Sequence, residues 1–172
     1  MSVTIREAKR EDAKTLTRAE QVWATSPGYL VSRPDELLVD NFEKKIEDLK
    51  SKPNGKYVVA EISGKIVGHA LLDPMMLQSI RHVTRLTIVV HKGNENRRIG
   101  GKLMDYLISW AAENSEIDKI ELNVRVSNSR AIRLYESKGF EREGLLKNRI
   151  KTPDRQYIDE VLMGLMVAQG AQ

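Results

Sequence analysis

Cysteine is absent from this chain of 172 residues, which excludes disulfides, cysteine-based zinc sites and cysteine nucleophiles. Long apolar runs are absent as well. No stretch approaches the roughly 20 residues that a membrane-spanning helix needs, so no membrane partner is expected. The opening MSVTIREAKRED lacks the apolar core of a secretion signal, so export is not expected and a cytoplasmic location follows by default. Repeats, low-complexity tracts and linker-like stretches are missing too, and residues 1–172 read as one domain. A chain of this length buries about two-thirds of its unfolded surface without help from metals or disulfides.

A strong excess of one charge is also lacking. The chain carries 28 basic against 24 acidic residues, a net charge of +4, which suits an anionic small ligand. Nucleic acid is the rival explanation. The basic residues are spread along the chain, however, with neither a zinc finger nor an RNA-binding aromatic signature beside them. Nucleic-acid binding is therefore disfavoured.

What is present is a regular succession of elements. Val3 to Ala8 reads as a short strand with Val3 and Ile5 on one face. A helix is predicted over about 12–24, with Leu16, Ala19 and Trp23 at helical spacing, and Thr25-Ser26-Pro27-Gly28 stops it. A second helix, over about 36–50, places Val39, Phe42, Ile46 and Leu49 on one stripe. Lys56–Ile62 and Lys65–Leu72 flank Ser63-Gly64 as a two-residue hairpin. A strand apolar on both faces follows around Leu86 to Val90. After a polar loop, a helix is expected to bury Ile99, Leu103, Tyr106, Leu107, Trp110 and Ala111. Lys119 to Val126 alternates as a strand. Asn128 or Ser129 then caps a short helix to about Lys138, and Gly139 suits a left-handed terminator. Strands at about 140–146 and 157–167 close the chain.

Strand–helix–strand passages imply parallel neighbours, whereas the hairpin and the final pair imply antiparallel ones. The expected fold class is α/β (mixed α+β): a single mixed, twisted, mostly antiparallel sheet of about seven strands with helices on both faces.

The segment Thr84–Asp105, TRLTIVVHKGNENRRIGGKLMD, runs from strand through loop to helix. The first N–H groups of a helix lack intrahelical partners, and the helix dipole adds partial positive charge there. Arg97, Arg98 and Lys102 add formal charge, and Gly100-Gly101 let a phosphate approach the backbone closely. These residues predict a pyrophosphate cradle.

Joined to the block Asn128–Phe140, NSRAIRLYESKGF, this segment resembles the GNAT superfamily of N-acetyltransferases. The hallmark of that family, (Gln/Arg)-x-x-Gly-x-(Gly/Ala), opens the helix after its fourth strand. Many members add Asn-x-x-Ala-x-x-x-Tyr-x-x-x-Gly-Phe, matched here at every named position from Asn128 to Phe140. The element order fits from about Val3 to Val167. Tyr157-Ile158-Asp159-Glu160 with Met163 is similar to the last strand of the branch that acetylates small amines, amino acids or protein N-termini. In the hallmark itself this chain departs from the pattern. With Gly100 as the final glycine, Glu95 takes the Gln/Arg place and Arg98 the place of the first glycine. A register two residues later gives Arg97 and Gly100 correctly but puts Lys102 in the small position. The first keeps Leu103 in the family's helix phase and is preferred.

The resemblance implies acetyl-coenzyme A as donor and no metal. The pantetheine would lie along Ile88, Val89 and Val90. The pyrophosphate would lie on Glu95, Asn96, Arg97, Arg98, Ile99, Gly100, Gly101 and Lys102. Asn128 matches a position that orients the cofactor, and Tyr135 one that protonates the departing thiolate as general acid. Trp23, Tyr29 and Arg33 fall at family positions for the acceptor, a small-molecule or peptide amine. Direct attack by that amine in a ternary complex is the family's usual route. Two alternatives stand beside the enzyme: an acyl-coenzyme A-binding sensor without turnover, and a ribosome-associated protein acetyltransferase. A homodimer is compatible with the family.

Each residue has a structural alternative. Tyr135 could pack its helix on the sheet, Asn128 could be a helix N-cap alone, and Trp23 fits the core stripe. The general base is not readable. The strand at 84–90 offers Arg85 and no acid, while Glu20, Glu61, Glu121, Asp159 and Glu160 read first as surface charges. His69 reads as a partly buried, hydrogen-bonded histidine and His91 as structural.

Overall fold

The computed structural model describes residues 2–26 and 30–167. Ser63 and Gly64 both take left-handed backbone, with φ of 50° and 74°, as a two-residue hairpin requires to follow the twist of its strands. They join β2 (Lys56–Ile62) to β3 (Lys65–Pro74). β1 (Thr4–Glu7) and β4 (Val83–Val90) add antiparallel on the two sides of that hairpin. Between β1 and β2 the chain forms α1 (Ala13–Ala24) and α2 (Val39–Ser51). The passage through α3 (Ile99–Ala112) returns β5 (Lys119–Arg125) parallel to β4. After α4 (Ser129–Ser137), β6 (Glu141–Lys151) and β7 (Tyr157–Met166) close the sheet in the order β1-β2-β3-β4-β5-β7-β6. Seven strands, with β4–β5 as the parallel contact, make the mixed, mostly antiparallel sheet expected.

The strand–helix–strand passage from β5 through α4 does not make neighbours of β5 and β6. β7 inserts between them, antiparallel to both. Composition explains the choice. β7 offers Val161 and Met163 to the buried layer, whereas β6 is exposed along nearly its whole length and rich in Glu, Arg and Lys. Such charge suits a sheet edge, where it discourages pairing with other chains.

α3 and α4 cover one face of the sheet, α1 and α2 the other. On the first face Ile99, Leu103, Met104, Leu107 and Ala111 of α3 pack on Val58, Ala70, Leu72 and Ile120, all close to fully buried. Each of the larger side chains among these contributes roughly 1.5–3 kcal/mol. Tyr106, expected in that stripe, is 37% exposed. Met104 is inside instead, because residues 100, 103, 104, 107 and 111 share one arc of the helix and Tyr106 falls just beyond its edge. Gly68 of β3 sets how closely α3 approaches. A Cβ there would lie 3.0 Å from Ile99 Cγ2 and 3.2 Å from the Val89 carbonyl oxygen.

On the opposite face Leu16, Phe42, Ile46 and Leu49 meet Tyr57 and Val59. α2 starts later than its predicted beginning at 36. Pro34–Glu36 forms a separate short turn, with the Arg33 N–H donating to Glu36 Oε2 at 2.8 Å. No helix among the described residues is long and apolar enough to cross a membrane.

Candidate active site

β4 and β5 pair only at Val83–Arg85 with Lys119–Glu121. Beyond that, β4 stays with β3 out to Val90 while β5 follows β7 out to Arg125. The two strands therefore diverge, leaving the edge of residues 86–90 without a strand partner on the β5 side. A cleft of about 960 Å³ occupies this region, a size that suits a small-molecule site. Its walls come from Ile88–Val90, from the loop and first turn at 94–102, and from one side of α4. Trp23 and Leu30, from the α1 side of the sheet, also line it. The cleft thus passes through the opening between β4 and β5.

The loop before α3 turns on three left-handed residues: Gly93 (φ 86°), Asn96 (φ 65°) and Arg98 (φ 59°). Arg98 is the N-cap of α3 and makes no side-chain cap. Left-handed backbone falls on Arg98 and not on Gly100, which lies inside the helix. That agrees with the first of the two registers, in which a glycine usually stands where Arg98 does. A residue with a Cβ costs about 1–2 kcal/mol in this conformation. Gly100 and Gly101 answer to the cleft more than to the protein. A Cβ at Gly100 would meet Val90 Cγ2 at 3.6 Å and Leu134 Cδ2 at 3.7 Å, ordinary contacts. The unpaired N–H groups of the first turn lie on this wall beside Arg98 and Lys102. Lys138 and Arg130 add positive charge from α4. Lys138 is paired with Asp105 at 2.6 Å, and Glu95 is the other acid on the wall. Arg97, in contrast, is exposed, donates to Asn94 Oδ1 at 2.9 Å, and does not line the cleft.

On α4, Asn128 does two things. Its Oδ1 accepts from the Ala131 N–H at 3.2 Å, capping the helix, and its side chain lines the cleft. Tyr135 lies edge-on to Phe140 with centroids 5.9 Å apart and also lines the cleft. Burial pushes its phenol up to about 12, so it remains protonated at neutral pH and can donate. Arg130, Ser137 and Lys138 line the cleft as well and escaped the motif. The spacing of Asn128, Ala131, Leu134–Tyr135 and Lys138, one helical stripe, was the available signal.

The α1 side holds more than a surface. Trp23 is 9% exposed, and its Nε1–H donates to the Val90 carbonyl at 2.7 Å, fastening α1 to the end of β4. Glu20 Oε1 lies 2.9 Å from His69 Nε2, and His69 Nδ1 lies 3.0 Å from His91 Nε2. His69 is fully buried and His91 nearly so. Burial, with His69 a smaller contributor, lowers His91 to about 4, so its ring is neutral. One of the two facing nitrogens then carries the shared proton. This chain of three residues was not legible in the sequence, where each stood alone.

The remaining candidates scatter. Tyr29 lies outside the described residues. Arg33 is exposed and is not part of the cleft wall. Glu61 pairs with Arg6 at 2.6 Å and Glu121 with Lys119 at 3.0 Å. Asp159 accepts from the Asn148 N–H at 2.7 Å. Two acids read as surface charges are not: Glu160 is 6% exposed, and the Glu20 side chain is mostly buried against His69. Among the described residues no group of three or more His, Cys, Asp or Glu side chains is set to hold a metal ion.

Comparison with known proteins agrees with this geometry. Residues 17–140 match the model of the Acetyltransferase (GNAT) family. The L-amino acid N-acetyltransferase AaaT of Escherichia coli (strain K12) is 34% identical over 117 residues, spanning 68% of this chain and 72% of the relative. The acetyltransferase of GNAT family from Streptococcus pneumoniae is 27% identical with a TM-score of 0.89, over 96% of this chain and all of that one. The fold is shared by yncA of Salmonella typhimurium, a putative acetyltransferase solved with its cofactor acetyl-CoA, at 20% identity and a TM-score of 0.88, over 100% of this chain and 98% of that one. With the family model covering most of the chain, and the β4–β5 opening, the α3 N-terminus and the Asn128–Phe140 block in one cleft, the chain belongs to the GNAT family of N-acetyltransferases.

Proposed function

We propose that this protein moves an acetyl group from acetyl-coenzyme A directly to a primary amine in a ternary complex. The observation that carries the reading is the cleft itself. It runs from the start of α3, through the gap between β4 and β5, to Trp23 and Leu30 on the other face. The donor would enter from the α3 side and supply an activated acetyl thioester. The N–H groups of the first turn of α3, with Arg98 and Lys102, would hold its pyrophosphate. The edge of Ile88–Val90, which has no strand partner, would bind the pantetheine and supply an N–H donor for developing negative charge on the acetyl oxygen. Tyr135 Oη would hold the proton that the leaving thiolate needs. Asn128 would orient the chain of the cofactor while it caps α4.

The acceptor amine would approach from the α1 side, past Trp23. The name of the E. coli relative makes L-amino acids the first acceptors to try. Incubation with acetyl-coenzyme A and a panel of amino acids, amines and peptides should release free thiol. Coenzyme A binding without release across the panel would instead make the protein an acyl-coenzyme A sensor.

A further inference from the structure

On the acceptor side of the sheet, β5 and β7 carry a polar set that the transfer reading does not use. Along β5 the side chains alternate. Ile120, Leu122 and Val124 enter the core under α3 and α4, while Asn123 and Arg125 point to the other face. Glu160 of β7 is the cross-strand partner of Arg125 and shares that face. Arg125 is 8% exposed and Glu160 6% exposed. Groups buried this deeply normally have every polar atom partnered. Here two do not: Arg125 Nε and Asn123 Oδ1 are buried without a hydrogen-bond partner.

The chemistry of the two orphans is opposite, and their neighbours fix it. Glu160 Oε2 accepts from Asn123 Nδ2 at 3.3 Å. A carboxylate at that distance dictates which way the amide points, so Oδ1 is turned away from Glu160 and left as a free acceptor. Arg125 spends one Nη2–H on the Leu30 carbonyl, and Leu30 lines the cleft. Its Nε–H is a free donor. Arg125 and Glu160 do not close on each other as an ion pair. Glu160 instead lies 3.8 Å from the half-exposed Arg149, so the cluster of Arg125, Arg149 and Glu160 carries one excess positive charge. A buried acceptor and a buried donor therefore stand two residues apart on one strand, about 6.5–7 Å between Cα atoms, and Arg125 is tied to the cleft wall through Leu30.

We infer that Asn123 and Arg125 form a head-group subsite for an acceptor that carries both an amine and a carboxylate, the α-amino acid class. Asn123 Oδ1 accepts from the amine N–H, and Arg125 Nε donates to the carboxylate, with Arg149 adding charge at the rim. Glu160 holds the Asn123 amide in orientation and offsets part of the arginine charge. The inference rests on the transfer reading for the place of the acceptor, and it concerns specificity alone.

The test compares L-amino acids with their matched amides, which keep the amine and lose the carboxylate charge. In thiol-release kinetics the amino acids should be preferred. Arg125→Gln should raise their KM at least tenfold while leaving the KM for the amides and for acetyl-coenzyme A within twofold. Arg125→Lys should recover part of the loss. Equal use of amino acid and amide by the unaltered enzyme, or an equal loss for both in Arg125→Gln, would overturn the inference and leave amine acetylation standing. If no amine is acetylated, calorimetric titration of L-amino acids into the coenzyme A complex decides. Heat that is lost in Arg125→Gln supports the subsite, and no heat in the unaltered protein removes it. Should Arg125→Gln fail to fold, Arg125→Lys and the amino acid–amide ratio of the unaltered enzyme decide on their own.

Discussion

On the wall of the cleft that leads into α3, residues 94–102 are neighbours in sequence and offer backbone N–H groups and cations. On the α1 side of the sheet, Glu20, His69 and His91 meet across gaps of 49 and 22 positions. The Asn123–Glu160 contact spans 37 more. The first wall is local and depends on the conformation of one turn. The second group consists of side chains that no short motif contains and that burial makes costly to leave unpaired. A local device can recur in many enzymes, whereas groups assembled through space are free to differ among members of one fold.

Four experiments strain that contrast, beginning with the largest effect. Tyr135→Phe should lower turnover about a hundredfold or more and leave the coenzyme A affinity unchanged by calorimetry. An unaltered rate would reduce Tyr135 to a packing residue against Phe140. The second acts on the α1 side of the sheet. His91 is neutral when folded, with its titration near 4 against an ordinary value of 6.5. The unfolded chain thus binds more protons between those values. Stability is full above about 6.5 and falls as pH drops toward about 4, by roughly 2–3 kcal/mol. The groups that face His91 are His69, with Glu20 and Tyr57 behind it. Denaturant melts from pH 7 to 4.5 should show this slope reduced in His91→Gln, and parallel slopes would place its origin elsewhere.

Gly100→Ala should weaken coenzyme A binding several-fold while changing the melting temperature little, since a Cβ there meets nothing closer than 3.6 Å. A variant that binds normally would show that the wall at Gly100 is not where the pyrophosphate lies. Smallest is Arg98→Gly. Relief of left-handed backbone at φ 59° should raise stability by about 0.5–1 kcal/mol in denaturant melts. A loss of coenzyme A affinity in the same variant would mean that the guanidinium binds as well as the backbone.

Much of the fold was legible because it follows local periodicity. The Ser63-Gly64 hairpin, the Phe42–Ile46–Leu49 stripe and the alternation of β5 need only their own neighbours. The position of β7 between β5 and β6 did not follow from chain order. It depends on which strand offers apolar side chains to the core and which has charge enough to stand at the edge. In the site, the Asn128–Phe140 block and the glycines of α3 were readable as a motif. Their neighbours Arg130 and Lys138 were readable only as helical spacing. His69 and His91 read as solitary histidines, and Glu160 as a surface charge, because pairing across a sheet leaves no pattern along the chain.

By itself, then, the sequence determined the family, the order of elements and the glycine-rich turn into α3, since each is written in residues that touch along the chain. Tertiary structure alone decided that β4 and β5 part company after Arg85, that α1 is fastened to the end of β4 by Trp23, and that Asn123 and Arg125 keep a buried acceptor and a buried donor free. Strand pairing and burial decide those features, and both depend on distances through space that sequence separation does not encode.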